Sequence, residues 1–153
     1  MARDVPQRSL MDAPRAMLLL LVDDEARSTR MLAKMLRDDG FDVEVAFDGA
    51  SAIGRLARPP IPNALLTDVR MAAVDGVTVA KYARSLDEHM PIIFITGYPQ
   101  LVTPKADAIG AVVHAKPVDY AALAMEVRRR LDDRVSAELG GWRPLGGSHD
   151  GDG

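Results

Sequence analysis

Four short apolar runs, each ending in a polar residue, organise this chain. Met17-Leu18-Leu19-Leu20-Leu21-Val22 ends in Asp23-Asp24-Glu25, and Ala64-Leu65-Leu66-Thr67 ends in Asp68. Ile92-Ile93-Phe94-Ile95 ends in Thr96, and Ala111-Val112-Val113-His114-Ala115 ends in Lys116-Pro117. Short apolar runs bounded by turn residues predict buried strands. A fifth segment alternates instead: Phe41, Val43, Val45 and Phe47 against Asp42 and Glu44, which predicts a half-exposed strand. Helical spacing fills the intervals. A helix is predicted from Asp24 or Glu25 to about Asp38, with Met31, Leu32, Met35 and Leu36 on one face and Gly40 as its stop. Asp48-Gly49 opens a second, through Arg58, ended by Pro59-Pro60. A third runs from about Val77 to Leu86. The last runs from Asp119 to about Leu139, carrying Leu123, Val127, Leu131 and Val135. This alternation predicts an α/β fold: a doubly wound, five-stranded parallel sheet with helices on both faces.

Residues 97–110 interrupt the pattern. Thr103 is a candidate N-cap with Pro104 at the first helical position, and Gly110 is a stop, which leaves a fourth helix of barely two turns. Pro99 stands against extending it backward. A short or irregular fourth helix is expected.

The remainder of the chain changes the picture little. Residues 1–15 hold two prolines and mixed charges without a period, and residues 140–153 are Gly-rich and polar, so both ends are expected to be disordered around one domain over 16–139. With 19 Lys plus Arg against 22 Asp plus Glu, the net charge of -3 lacks the basic footprint of a nucleic-acid binder. No cysteine is present, which excludes disulfides, thiolate metal sites and cysteine nucleophiles. The first apolar run is too short to span a bilayer, and the acids that follow it are not a signal-peptide cleavage site, so a cytoplasmic protein without membrane contact is expected.

In an open parallel sheet all strands end on one edge, and ligands bind there. Here that edge receives Asp23 and Asp24, Asp68, Thr96 and Lys116. Singly, each has a plain structural explanation: Asp-Asp after a strand is equally well a helix N-cap. Together, at successive strand ends, they describe a Mg²⁺ and phosphoryl site around one nucleophilic carboxylate. Three carboxylates carry three negative charges, which one Mg²⁺ and the Lys116 ammonium neutralise. Mg²⁺ takes carboxylates, waters and phosphoryl oxygens. Phosphoryl transfer has a loose transition state, so positioning and charge stabilisation supply most of the catalysis. Thr96 offers a hydroxyl donor, Lys116 a point charge, and Asp68, ionised near neutral pH, needs no general base.

The residues Leu21-Val22-Asp23-Asp24-Glu25, Leu65-Leu66-Thr67-Asp68-Val69-Arg70-Met71, Val74-Asp75-Gly76, Thr96-Gly97 and Lys116-Pro117 resemble the receiver domains of two-component response regulators, whose fold is flavodoxin-like. The intervals suit that family: 44 residues from Asp24 to Asp68 and 28 from Asp68 to Thr96. The resemblance covers residues 16 to about 133. It implies that Asp68 is the phosphoacceptor, served by a sensor histidine kinase or a His-containing phosphotransfer protein. It implies Mg²⁺, with Mn²⁺ as a substitute, on Asp23, Asp24, Asp68 and the Arg70 main-chain carbonyl. Thr96 is then the switch hydroxyl, Lys116 the phosphate-binding cation, and Lys116–Pro117 a cis bond. A downstream protein is expected on the face made by the fourth helix, fifth strand and fifth helix, with the protein a monomer or a phosphorylation-linked dimer.

Three departures fall near that face. The usual Met-Pro after the acceptor is Met71-Ala72, the rotating aromatic of the switch is Val113, and Thr96 to Lys116 spans only 20 residues. An aromatic flip is therefore not expected. Instead, residues 97–110 are expected to order or reshape when Thr96 is drawn to the phosphoryl group, with Tyr98 either covering the site or merely packing on the loop. His114 is expected to be a partly buried structural residue, His89 and His149 to lie in a loop and the tail, and Arg128-Arg129-Arg130 to be a solvated helix face.

The residues after the domain are too few for a helix-turn-helix or an enzymatic output, so a stand-alone, non-enzymatic receiver is expected, acting by partner binding or as a phosphorelay. An excised module of a larger regulator or hybrid kinase is the alternative. An aspartyl-nucleophile phosphatase of the haloacid dehalogenase type would carry an acid two residues after the nucleophile, where Arg70 stands. A flavin-binding flavodoxin is excluded by Asp23-Asp24-Glu25, which would repel the cofactor's phosphate.

Overall fold

A computed structural model describes residues 16–139; the leader and tail expected from composition lie outside the described residues. Five strands alternate with five helices: β1 (Leu18–Val22), α1 (Ala26–Asp38), β2 (Asp42–Ala46), α2 (Gly49–Leu56), β3 (Ala64–Asp68), α3 (Gly76–Leu86), β4 (Ile92–Thr96), α4 (Pro99–Ile109), β5 (Val112–Ala115) and α5 (Tyr120–Glu138). All strand pairs are parallel, in the order β2-β1-β3-β4-β5. This is the flavodoxin-like arrangement.

Successive strand residues point to opposite faces of a sheet, and each face here has its own core. On one side Leu20, Val22, Leu65, Ile92 and Phe94 meet Ala52 and Leu56 of α2, Val79 and Ala83 of α3 and Val102 and Ala106 of α4. On the other, Leu19, Leu21, Leu66, Ile93 and Ile95 meet Ala33 and Leu36 of α1 and Leu123, Val127 and Leu131 of α5. β3 and β4 are buried throughout because they lie inside the sheet with both faces covered, whereas β2 is an edge and alternates.

Four helices start where an acidic side chain accepts a backbone N–H of the first turn: Glu25 for α1, Asp48 for α2, Asp75 for α3 and Asp119 for α5. Each satisfies one otherwise orphaned donor. No side chain caps α4. That helix also differs from the sequence expectation: it begins at Pro99, not Pro104, and runs 11 residues, about three turns. Pro99 takes the first position, and Pro104 falls inside the helix. Proline there removes the N–H that would bond the Gln100 carbonyl, while the Thr103 hydroxyl donates to the Pro99 carbonyl at 2.8 Å. The helix is irregular rather than short, because burial of Val102 and Ala106 outweighs the local cost of Pro104.

The far edge is tied by arginines. Arg84 donates to the carbonyls of Ile109 at 2.9 Å, Glu88 at 3.0 Å and Met90 at 2.6 Å, joining α3 to the loops before β4 and β5. Arg55 binds Glu44 and the Arg58 and Pro60 carbonyls. Lys116–Pro117 is cis, as the resemblance implied, and so is Pro59–Pro60. Among the described residues no helix is long and apolar enough to cross a membrane.

Candidate functional site

Parallel pairing brings the carboxyl ends of β1 and β3 side by side: Val22 pairs with Thr67, so the next residues, Asp23 and Asp68, leave the sheet level with each other. On the other flank Asp68 pairs with Ile95, which sets Thr96 one residue beyond it. The β4–β5 ladder continues past β5 through the Lys116 N–H, which donates to the Thr96 carbonyl at 2.8 Å. Lys116 thereby leaves the same edge. Four strands thus deliver Asp23, Asp24, Asp68, Thr96 and Lys116 to one place, as the sequence predicts.

Carboxylate oxygens of Asp23, Asp24 and Asp68 lie within 4.8 Å of one another. Asp68 is 9% exposed. Its Oδ1 accepts the Val69 N–H at 2.8 Å and faces the Lys116 Nζ at 3.5 Å. The ammonium is closer to Asp23 Oδ2, at 3.1 Å, while Asp23 Oδ1 accepts the Glu25 N–H at 3.0 Å. Thr96 is 1% exposed, and its Oγ1 accepts the Tyr98 N–H at 3.0 Å. Its hydroxyl proton is left to donate elsewhere.

Burial, then the charge of Asp23, holds the Asp68 carboxyl above its ordinary range, against the pull of Lys116 and the Val69 N–H. Burial works against the Lys116 charge, but its hydrogen bond to Asp23 and the charges of Asp23 and Asp68 outweigh that and raise it. The pocket sets three carboxylates against the one Lys116 ammonium. Ionisation of Asp68 therefore depends on the cations beside it. Three hard oxygen donors suit Mg²⁺, whose ligands sit at about 2.1 Å and hence about 3–4 Å apart. The observed oxygens, within 4.8 Å of one another, lie near that spacing.

The loop from Val69 to Asp75 closes onto α3 through the Gly76 N–H, which donates to the Val69 carbonyl at 2.8 Å. The approach is so close that a Cβ at Gly76 would overlap the Asp68 carbonyl oxygen. No signal along the chain marks this close approach. The same loop carries Ala73 at φ 65°, a left-handed conformation that costs a non-glycine residue about 1 kcal/mol. Arg70 begins the loop, and its guanidinium lies 4.7 Å from the centre of the Tyr98 ring. That pairing was also missed, since no local signal links residues 28 apart.

Two hollows flank the carboxyl end of β3. One, about 460 Å³, runs between α1 and the β5–α5 connection past Met31, Leu32, Met35, Val118 and Tyr120. The other, about 510 Å³, lies between the β3–α3 loop and α4, with Arg70, Met71, Leu101 and Lys105 on its walls. Elsewhere, Val113 lies partly buried against the α2–α3–α4 core. His114 Nε2 lies 3.5 Å from Glu126, the carboxylate that also pairs with Arg129 and Arg130. Arg128 stacks on Phe41 and pairs with Asp39. The arginine triplet is thus occupied within the molecule, and His89 stays in an exposed loop.

An open five-stranded parallel sheet with an acidic pocket, a threonine and a lysine at its carboxyl edge defines a receiver-type scaffold. The chain belongs to the response regulator receiver domain family, whose profile matches residues 19–128. It is 36% identical over 115 residues to the response regulator receiver protein CpdR of Brucella abortus, covering 74% of this chain and 95% of that one. It is 30% identical to the transcriptional regulatory protein ZraR of Salmonella typhimurium, of which it covers only 26%. A receiver protein structure from Sinorhizobium medicae superposes with a TM-score of 0.71 at 33% identity, covering 78% of this chain and 97% of that one. A CheY-like receiver structure from Methanospirillum hungatei, at 23% identity and a TM-score of 0.75, shares the fold, covering 80% of this chain and 98% of that one.

Proposed function

We propose that Asp68 accepts a phosphoryl group from a phosphohistidine on a sensor histidine kinase or a His-containing phosphotransfer protein. An Asp68 carboxylate oxygen attacks phosphorus in line; the new O–P bond forms as the P–N bond breaks, and the imidazole leaves with the electron pair. The observation that carries this reading is the convergence of three carboxylates and one ammonium on a single sheet edge, with the acceptor nearly buried. Asp23, Asp24, Asp68 and the Arg70 carbonyl would hold Mg²⁺ or, in its place, Mn²⁺. When bound, the ion neutralises charge on the carboxylates and on phosphoryl oxygens.

The chain's own groups complete the site. Lys116, already between Asp23 and Asp68, turns to a phosphoryl oxygen. Thr96 donates its hydroxyl to another. The Val69 N–H fixes the carboxylate's orientation. Because α4 is a formed helix, phosphorylation acts by shifting or reshaping it, and a downstream protein reads the change on the α4–β5–α5 face. This makes the protein a non-enzymatic signalling switch or relay.

The test is intact mass after incubation with Mg²⁺ and a small acyl phosphate. One added phosphoryl group is expected, absent in Asp68→Asn and absent without the ion. Steady turnover of generic phosphate esters, abolished by Asp68→Asn, would favour the phosphatase reading instead. The placement of the Arg70 side chain on Tyr98, where that reading wants an acid, speaks against it.

A further inference from the structure

We propose that Arg70 and Tyr98 form a clasp that holds the first turn of α4 in the resting state and opens when Asp68 carries a phosphoryl group. The inference rests on the phosphoacceptor reading above and says how this chain, with Val113 on β5, transmits the event.

The clasp bridges the two loops on either side of the acceptor. Arg70 is two residues beyond Asp68 at the start of the β3–α3 loop, and Tyr98 is two residues beyond Thr96 at the start of α4. The guanidinium sits over the ring at 4.7 Å. No other connection of this kind ties the two loops together among the described residues. Apart from the buried Val102, the first turn of α4 has few anchors. Its N-terminus has no side-chain cap, Pro104 deprives the Gln100 carbonyl of its donor, and Leu101 is 67% exposed. The Tyr98 N–H meanwhile spends its hydrogen bond on Thr96 Oγ1, at 3.0 Å.

Phosphorylation offers each end of this chain a stronger partner. The Thr96 hydroxyl turns to a phosphoryl oxygen and leaves the Tyr98 N–H. The Arg70 guanidinium, on the residue next but one to the acceptor, gains a nearby dianion, and a charge-assisted hydrogen bond exceeds an exposed cation–π contact. Both changes loosen Tyr98, and the α4 turn it begins is then free to shift. Val113 has no ring to rotate, and the aromatic signal is carried by Tyr98 on the neighbouring loop instead.

Linkage makes this testable. If the clasp belongs to the resting state, removing it must favour the activated one. Affinity for a beryllium–fluoride phosphoryl mimic with Mg²⁺ is measured by calorimetry on the full chain. Tyr98→Ala should tighten it about two- to five-fold, and Tyr98→Phe, which keeps the ring, should leave it unchanged. Tyr98→Ala made on Arg70→Ala should have no effect, since the cycle isolates the pair. In the wild type, amide exchange at Tyr98 and Leu101 should quicken when the mimic binds. Unchanged or weaker binding in Tyr98→Ala, or an equal gain with and without Arg70, overturns the clasp while the wild type still binds the mimic. A wild type that takes up neither phosphoryl nor mimic overturns the phosphoacceptor reading and the clasp with it.

Discussion

The Lys116 ammonium sits closer to Asp23, at 3.1 Å, than to Asp68, at 3.5 Å. In the resting protein it neutralises a carboxylate of the proposed ion site and competes with the ion for it. Lys116→Met should therefore tighten Mg²⁺ binding, by about five-fold for an interaction on the order of 1 kcal/mol. The same change should slow phosphoryl uptake from an acyl phosphate by at least about ten-fold, because a charge on the transferred group is lost. Calorimetry reads the first and intact mass against time the second. Weaker Mg²⁺ binding in the variant would show that the lysine organises the carboxylates instead of competing for them.

Asp68 is buried beside a second carboxylate, and its ionisation works against the fold when no divalent ion is present. Because its carboxyl is raised in the folded protein, the native state binds more protons than the unfolded chain above the ordinary aspartate range. Stability from this group is present at low pH and is lost as pH rises through the native titration. Asp68→Asn removes the effect. In chelator at neutral pH the variant should melt higher than the wild type. The difference should shrink as pH falls towards the ordinary carboxylate value. Equal melting at all pH values would mean that Lys116 already compensates the pair.

A ligand that binds only the folded state stabilises it by mass action, about 2.7 kcal/mol at a hundred times its dissociation constant. Mg²⁺ should raise the melting temperature of the wild type accordingly. Asp24→Asn should abolish most of that rise without lowering the melting temperature in chelator, since the Asp24 side chain is exposed. A persistent Mg²⁺ effect would place the ion elsewhere.

Gly76→Ala tests the close approach of α3 to the acceptor strand. The added methyl would overlap the Asp68 carbonyl, and neither backbone can yield cheaply. Overpacking of this kind costs about 1–3 kcal/mol. Urea unfolding should show that loss, and phosphoryl uptake should fall with it because Asp68 is displaced.

Pro104→Ala restores the missing donor inside α4. The protein should gain up to about 3 kcal/mol, the usual cost of proline in a helix interior. Amide exchange across residues 99–109 should slow in step. A loss of stability would mean that Pro104 is held by packing that outweighs its missing hydrogen bond.

Much of this protein is legible along the chain because the signals are local. Apolar runs marked the strands, and Glu25, Asp48 and Asp119 marked helix starts through hydrogen bonds that span only three residues. The candidate site was legible for a related reason. Strand ends carry Asp23, Asp68, Thr96 and Lys116, and parallel strands must end on one edge. Tertiary structure alone decided the rest. The order β2-β1-β3-β4-β5 makes β1 and β3 neighbours, and only then do their carboxylates share charge. The tilt of Lys116 towards Asp23, the contact of Gly76 with Asp68 and the stack of Arg70 on Tyr98 join residues far apart in sequence. α4 misled in the opposite sense. Its local pattern pointed to a helix starting at Pro104 with Thr103 as its cap, but burying Val102 and Ala106 against the sheet extended it back to Pro99. Propensity is a contest of tenths to a few kcal/mol per residue, and packing against a finished sheet can overrule it.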